Sequence, residues 1–262
     1  MSMIFDIVRG LVLGAVQGLA EFFPISSSGH LILTPVLLGW PDQGLAFDTV
    51  LHLGTLAALL WFFRKDIIGL FQKKAWSFLL KVAVATLPAL IIAFLANDWI
   101  EANVRQSWIV AFDLVLFGLI LFGSDRWSDG KSNRLNDYES VSWKQAMLVG
   151  IAQPLALFPG TSRSGITITA GLLSGLTRQA AARFSFFLSI PVTAAAGLHG
   201  LLSVAKQGIA TDQTIALLVG FISALGFGLF AIRFLISYVA KHRYDGFVIY
   251  RLVLALVVLA LV

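Results

Sequence analysis

Two stretches of this 262-residue chain place polar, glycine- and serine-rich backbone between segments apolar enough to lie in a membrane: Glu21 to His30 and Phe158 to Thr167. In hydrocarbon, irregular backbone costs several kcal/mol for each unpaired N–H or C=O, so such loops persist only when buried in protein or lining a watery cavity. Glu21, His30 and Arg163 sharpen the constraint, because an ionisable side chain near membrane depth marks a functional site by default.

The flanking composition sets the class. Hydrophobic residues make up 58% of the chain and charged residues 13%, with a mean hydropathy of +0.87. Those values belong to a polytopic membrane protein rather than a soluble domain. The net charge of +5 does not signal a nucleic-acid partner, because the Lys and Arg residues are scattered through short loops instead of gathered on one face. Cysteine is absent, which excludes disulfide and thiolate chemistry. Asp6 and Arg9 interrupt the first apolar run, and no basic segment with a cleavage site precedes it, so a removable signal peptide is not expected.

Runs long enough to cross a bilayer are read at 47–63, 78–96, 107–123, 183–201, 214–233 and 247–262. The regions 4–38 and 143–175 are each broken near the middle, by Pro24 to Gly29 and by Pro159 to Gly165, and their halves are read as too short to cross. Each is therefore expected to be a re-entrant helix–loop–helix. Basic residues concentrate in 64–77, 124–144 and 234–246, which places those loops in the cytoplasm, whereas 39–46, 97–106 with Arg105 and 202–213 with Lys206 are placed outside.

A shift of 136 residues superposes the two broken regions. It matches Gly14 with Gly150, Gln17 with Gln153, Phe22 with Phe158, Ser26 with Ser162, Ser28 with Ser164 and Gly29 with Gly165, among 11 identities in the 26 positions from 14 to 39. Each half then comprises one hairpin and three crossings, and an odd number of crossings inverts the second copy. The expected fold is all-α, with an inverted-topology repeat of six transmembrane helices plus two re-entrant hairpins. The first repeat spans 1–123 and the second 143–262. In such proteins the broken helices meet near the midplane and form the site between them.

The two loops supply one carboxylate (Glu21), one imidazole (His30), one guanidinium (Arg163), and hydroxyls from Ser26, Ser27, Ser28, Thr161, Ser162, Ser164 and Thr167. Gly29, Gly160 and Gly165 let backbone N–H groups turn toward a ligand. Each loop leads into a helix N-terminus, which favours an anion, and a guanidinium fork suits phosphate oxygens. This inventory fits a phosphate or diphosphate. Each residue also has a structural reading: Glu21 as the partner of Arg163, His30 as a helix cap, Ser26 and Ser28 as partners for broken-helix backbone. Gln17 lies one turn before Glu21 and can face the same cavity. Asp48 and His52, four residues apart, face the site or pair structurally with equal weight. Asp113 is a lone acid within a span, and Arg251 and His199 are assigned to snorkelling near span ends.

The pattern Gln17-x-x-x-Glu21, then Pro24-x-Ser26-Ser27-Ser28-Gly29-His30, then Pro159-Gly160-Thr161-Ser162-Arg163-Ser164-Gly165-x-Thr167 resembles the undecaprenyl-diphosphate phosphatases of the bacitracin-resistance type. The resemblance covers the whole chain. It implies hydrolysis of undecaprenyl diphosphate to undecaprenyl phosphate and phosphate, in a multi-pass protein of the bacterial inner membrane whose site opens to the periplasmic side, supported by Mg2+ or Ca2+. It further implies that Glu21 serves in metal binding or proton transfer, Arg163 clamps the diphosphate, and Ser27 and His30 are paired as nucleophile and base. Ser26, Gly29, Gly160, Ser162, Ser164 and Thr167 would bind phosphate. The family accepts Glu or Gln at the position of Gln17, so a metal would lean on Glu21, Gln17 and the substrate's own oxygens. Attack by His30, or by water that His30 activates, stays open. So does a second function, a transporter or flippase of a polyprenyl phosphate lipid, and a homodimer stays open as the assembly.

Overall fold

The computed structural model describes residues 3–41, 43–104, 106–129, 131, 133–207 and 214–260. Arg105, residues 208–213 of the last loop assigned to the outside, and Leu261 and Val262 of the sixth expected crossing lie outside the described residues. The described residues form eleven α-helices: α1 (Met3–Ala20), α2 (Ser27–Leu38), α3 (Gly44–Phe62), α4 (Arg64–Gln72), α5 (Trp76–Asn103), α6 (Ser107–Asp129), α7 (Trp143–Ala152), α8 (Arg163–Leu173), α9 (Arg178–Gln207), α10 (Thr214–Tyr238) and α11 (Asp245–Ala260). This is an all-α polytopic membrane protein. Helices α1, α5, α6, α9 and α10 are each long and apolar enough to cross a bilayer, and α3 joins them when taken with α4, which leaves it at a 57° bend. Lipid-facing surface is plain on α5, where Phe94 is 89% and Leu95 72% exposed. Side chains of that size and exposure need a hydrocarbon solvent.

One of the expected features requires correction. The first arm of the first broken region is not too short to cross: α1 runs 18 residues, about 27 Å at 1.5 Å per residue. No Pro falls before Pro24 and the helix glycines are tolerated, so the break waits until Glu21. The sixth expected crossing, 247–262, corresponds to α11, whose described residues run from Asp245 to Ala260.

Helix directions follow from close approaches at glycines. A Cβ added at Gly10, Gly14 or Gly18 would lie 2.5 Å from the Ala216 carbonyl oxygen, 2.4 Å from that of Gly220 and 2.8 Å from that of Ala224, so α1 and α10 run parallel with their backbones nearly touching. The absence of side chains at these three positions, four residues apart, is what permits that approach. A Cβ at Gly220 would meet Leu51, one at Gly54 the Phe221 oxygen and one at Gly228 Ala58, so α3 is parallel to α10 as well. Since α1 and α3 point the same way, α2 must carry the chain back, and α1–α2 is a hairpin. Helix α9 opposes α3, with Gly197 on Leu53 and Gly200 on Thr49. Helix α11 opposes α6, with Arg126 bonded to Asp245 at 3.2 Å and Gly118 packed on Arg251.

One end of the bundle is locked by charge. Asp125, 1% exposed, accepts from Arg178 Nε at 2.5 Å and from the Tyr244 N–H at 2.9 Å, while Asp129 accepts from Arg178 and from Arg243 Nε at 2.6 Å. This network joins the end of α6, the start of α9 and the turn before α11. The connection preceding α7 is held at the same end by a parallel bridge between Leu135 and Leu176 and by Tyr138, whose hydroxyl donates to Asp66 at 2.9 Å. Burial, then the adjacent Asp66 carboxylate, raises the Tyr138 hydroxyl above the ordinary phenol range.

Candidate active site

Both loops end on a strained serine. Ser26 and Ser162, the residues that precede α2 and α8, have φ of 73° and 72°, a conformation that non-glycine residues seldom adopt and that clusters at functional sites. Their environments divide the work. Ser162 Oγ accepts from the Gly165 N–H at 3.2 Å and caps its own helix. Ser26 Oγ reaches across to the other loop and accepts from the Gly160 N–H at 3.2 Å, so it does not cap α2. In return, Ser164 Oγ donates to the Phe23 carbonyl at 3.0 Å. The two broken segments are thus stitched directly to one another, through residues 134 and 141 positions apart.

On the joined loops sits a polar cluster built around Glu21. Its Oε1 accepts from Arg163 Nη2 at 2.6 Å; its Oε2 accepts from Ser27 Oγ at 2.8 Å and from Gln17 Nε2 at 3.0 Å. Glu21 and Gln17 are one helical turn apart at the end of α1, Ser27 opens α2, and Arg163 opens α8, so three helix termini from both hairpins converge on one carboxylate. Arg163 keeps Nη1 buried and without a partner, and Gln17 keeps Oε1 in the same condition. A donor and an acceptor beside one carboxylate are thus left available to a ligand. A fourth side chain arrives from outside the motifs: His52 Nε2 lies 3.7 Å from Glu21 Oε2, with its Nδ1 2.8 Å from the Asp48 carbonyl.

Other expected site residues lie elsewhere. His30 does not meet Ser27. Its Nδ1 lies 2.7 Å from the Ser26 carbonyl oxygen and its Nε2 2.6 Å from the Tyr250 hydroxyl, with the two rings stacked at 8°. A proton on Nδ1 donates to Ser26, which leaves Nε2 to accept from Tyr250. His30 and Tyr250 instead border an apolar cavity of about 470 Å³ that is also lined by Leu19, Phe23, Ile25 and Phe247. Thr167 is fully buried against Ser185 at 2.6 Å and donates to the Arg163 carbonyl at 2.8 Å, so it supports α8 from behind. Gly29 lies within α2, where a Cβ would meet only ordinary contacts near 3.6 Å. Gly160 is different: φ is 100° and a Cβ would sit 2.5 Å from the Val110 oxygen. Among the glycines of the described residues, only Gly160 has both a backbone angle and a space that demand glycine.

Arg251 is expected near a span end. It is instead fully buried behind the two loops and bonded to five main-chain carbonyls. No spacing signal could have found it, because its partners come from three distant segments.

Among the described residues no group of three or more His, Asp or Glu stands close enough to hold a metal by itself. The donors that are present nevertheless suit a hard divalent cation that takes most of its oxygens from substrate and water: one carboxylate, with spare lone pairs, beside an unpartnered amide oxygen.

A family model described as bacitracin resistance protein BacA matches residues 10–257. The chain is 43% identical over 267 residues to an undecaprenyl-diphosphatase of Idiomarina loihiensis, covering 96% of this chain and 97% of that one. It is 43% identical over 274 residues to undecaprenyl-diphosphatase 2 of Stutzerimonas stutzeri, covering 98% of both chains. An undecaprenyl-diphosphatase of Magnetococcus marinus is 42% identical over 272 residues, covering 97% of this chain and 98% of its own. With a match over nearly its whole length, with the two serine-rich loops inside it, this chain belongs to the bacitracin resistance protein BacA family.

Proposed function

We propose that this protein hydrolyses undecaprenyl diphosphate to undecaprenyl phosphate and inorganic phosphate. The observation that carries the reading is the Glu21 cluster, in which a serine hydroxyl is already bonded to a carboxylate while an arginine from the opposite hairpin keeps one nitrogen unpartnered. Ser27 Oγ attacks the terminal phosphorus as its proton passes to Glu21, and the bond from that phosphorus to the bridging oxygen breaks. Undecaprenyl phosphate leaves, and water then cleaves the phosphoserine. Arg163 Nη1 and the uncapped first turn of α2 meet the phosphoryl oxygens, where negative charge spreads in the transition state. His52, adjacent to Glu21, is placed to share the proton.

Gln17 and Glu21 are the residues that would hold Mg2+ or Ca2+, whose charge would offset that of the diphosphate. His30 acts on this reading as an anchor of the first loop. The apolar cavity beside it has the chemistry to receive the first isoprene units of the lipid.

The architecture is read as an inverted repeat of residues 1–123 and 143–262. Corresponding spans support it: α3 opposes α9, α6 opposes α11, and the two cap serines share one unusual φ. By the loop charges, the ionic network lies on the cytoplasmic side and the site opens to the periplasm. A homodimer is testable by mass in detergent. Purified full-length protein given undecaprenyl diphosphate and Mg2+ should release phosphate, and Ser27→Ala should reduce release to background. No release by the unaltered protein would favour a carrier.

A further inference from the structure

Arg251 has five N–H donors, and all five are spent on main-chain oxygens. Nε donates to Leu114 at 3.0 Å; Nη1 to Pro24 at 3.2 Å and Thr161 at 3.0 Å; Nη2 to Asp113 at 3.1 Å and Gly160 at 2.8 Å. Pro24 belongs to the first loop, Gly160 and Thr161 to the second, and Asp113 and Leu114 to α6. The side chain is 0% exposed. With its donor inventory exhausted, Arg251 has nothing left for an anion, in contrast to Arg163. Room for it is reserved by two glycines: a Cβ at Gly118 would lie 3.3 Å from Nε, and one at Gly165 3.2 Å from Nη1.

We propose that Arg251 is a positioning residue that sets the register between the two loops. Broken helices expose carbonyls that hydrocarbon cannot satisfy. By drawing one from the first loop and two from the second onto a single planar fork anchored to α6, Arg251 fixes the distance between Ser27 on one hairpin and Arg163 on the other. Those carbonyls all face Arg251. The charge also stays behind both helix N-termini, where it adds to the potential that a diphosphate meets. Lysine keeps that charge but has three donors and no fork, so it cannot span the same five oxygens.

The effect on turnover rests on the phosphatase reading, whereas the effect on loop spacing does not, and the test separates them. The chain has no cysteine, so spin-label pairs can be introduced cleanly into the full-length protein in nanodiscs. One pair, at Ile32 on α2 and Leu173 on α8, both partly exposed, reports on the hairpins; a second, at Leu60 on α3 and Phe230 on α10, reports on the surrounding bundle. In Arg251→Lys and Arg251→Gln we expect the first distance distribution to broaden or shift and the second to stay unchanged. For a displacement near 1 Å, kcat for undecaprenyl diphosphate should fall about 100-fold, with KM changed by less than about threefold. An unchanged first distance in a folded Arg251→Gln protein would overturn the proposal. So would unaltered turnover, or equal disturbance of both pairs, which would mark Arg251 as a general structural support. If the hairpin distance moves while even the unsubstituted protein releases no phosphate, the positioning role stands and the phosphatase reading falls.

Discussion

At the level of single residues, the site is a set of donors competing for one carboxylate, and each can be removed separately. Arg163→Lys keeps a positive charge near Glu21 but loses the planar fork, and should lower kcat/KM by roughly 100-fold, the scale seen when one preorganised donor to a developing oxyanion is lost. A phosphate-release assay checks this; near-normal activity would mean that Arg163 only pairs with Glu21. His30 and His52 separate the serine–histidine expectation from the observed geometry. If the base is Glu21, as the 2.8 Å contact with Ser27 favours, then trapping with a slow substrate analogue should give the same phosphoserine at residue 27 in Tyr250→Phe, which removes only the partner of His30 Nε2. Loss of the trapped species in Tyr250→Phe would restore His30 to the reaction.

Among the helices, the decisive feature is how close α1, α3 and α10 come to one another. A methyl at Gly14 would sit 2.4 Å from a main-chain oxygen that cannot move aside. Gly14→Ala should therefore destabilise the protein by about 1–3 kcal/mol, the usual cost of overpacking, read as a lower unfolding temperature in detergent. Gly226→Ala is the control, because nothing lies within 4 Å of a Cβ there. At the start of α8, Ser162→Ala removes a cap and should cost about 1 kcal/mol. The matching Ser26→Ala removes no cap but breaks the link to Gly160, so its loss should appear in activity more than in unfolding temperature. Equal effects of the two substitutions would sink this distinction between the hairpins.

For the molecule as a whole, topology is the open quantity that one labelling experiment decides. Lys131→Cys should react with an impermeant maleimide only after lysis, and Gln43→Cys in intact cells; the reverse pattern would turn the site toward the cytoplasm. The sequence by itself determined the membrane class, the two broken regions and their relation by 136 residues, because hydropathy, Pro and Gly breaks and a repeat are all local or periodic signals. It also singled out Glu21, Ser27 and Arg163, since each stands at a helix terminus inside a polar loop. It read the arm before Pro24 as too short to cross, whereas α1 runs 18 residues from Met3 to Ala20, because a proline-and-glycine break marks where a helix stops but does not fix the length of the helix before it. It left open whether His52 faces the site, and it could not see that His30 turns to Tyr250 or that Arg251 gathers five carbonyls from three segments. Those choices were left to the tertiary structure. A buried polar side chain goes wherever unsatisfied backbone is brought by packing, and the positions of those carbonyls exist only once the hairpins have docked.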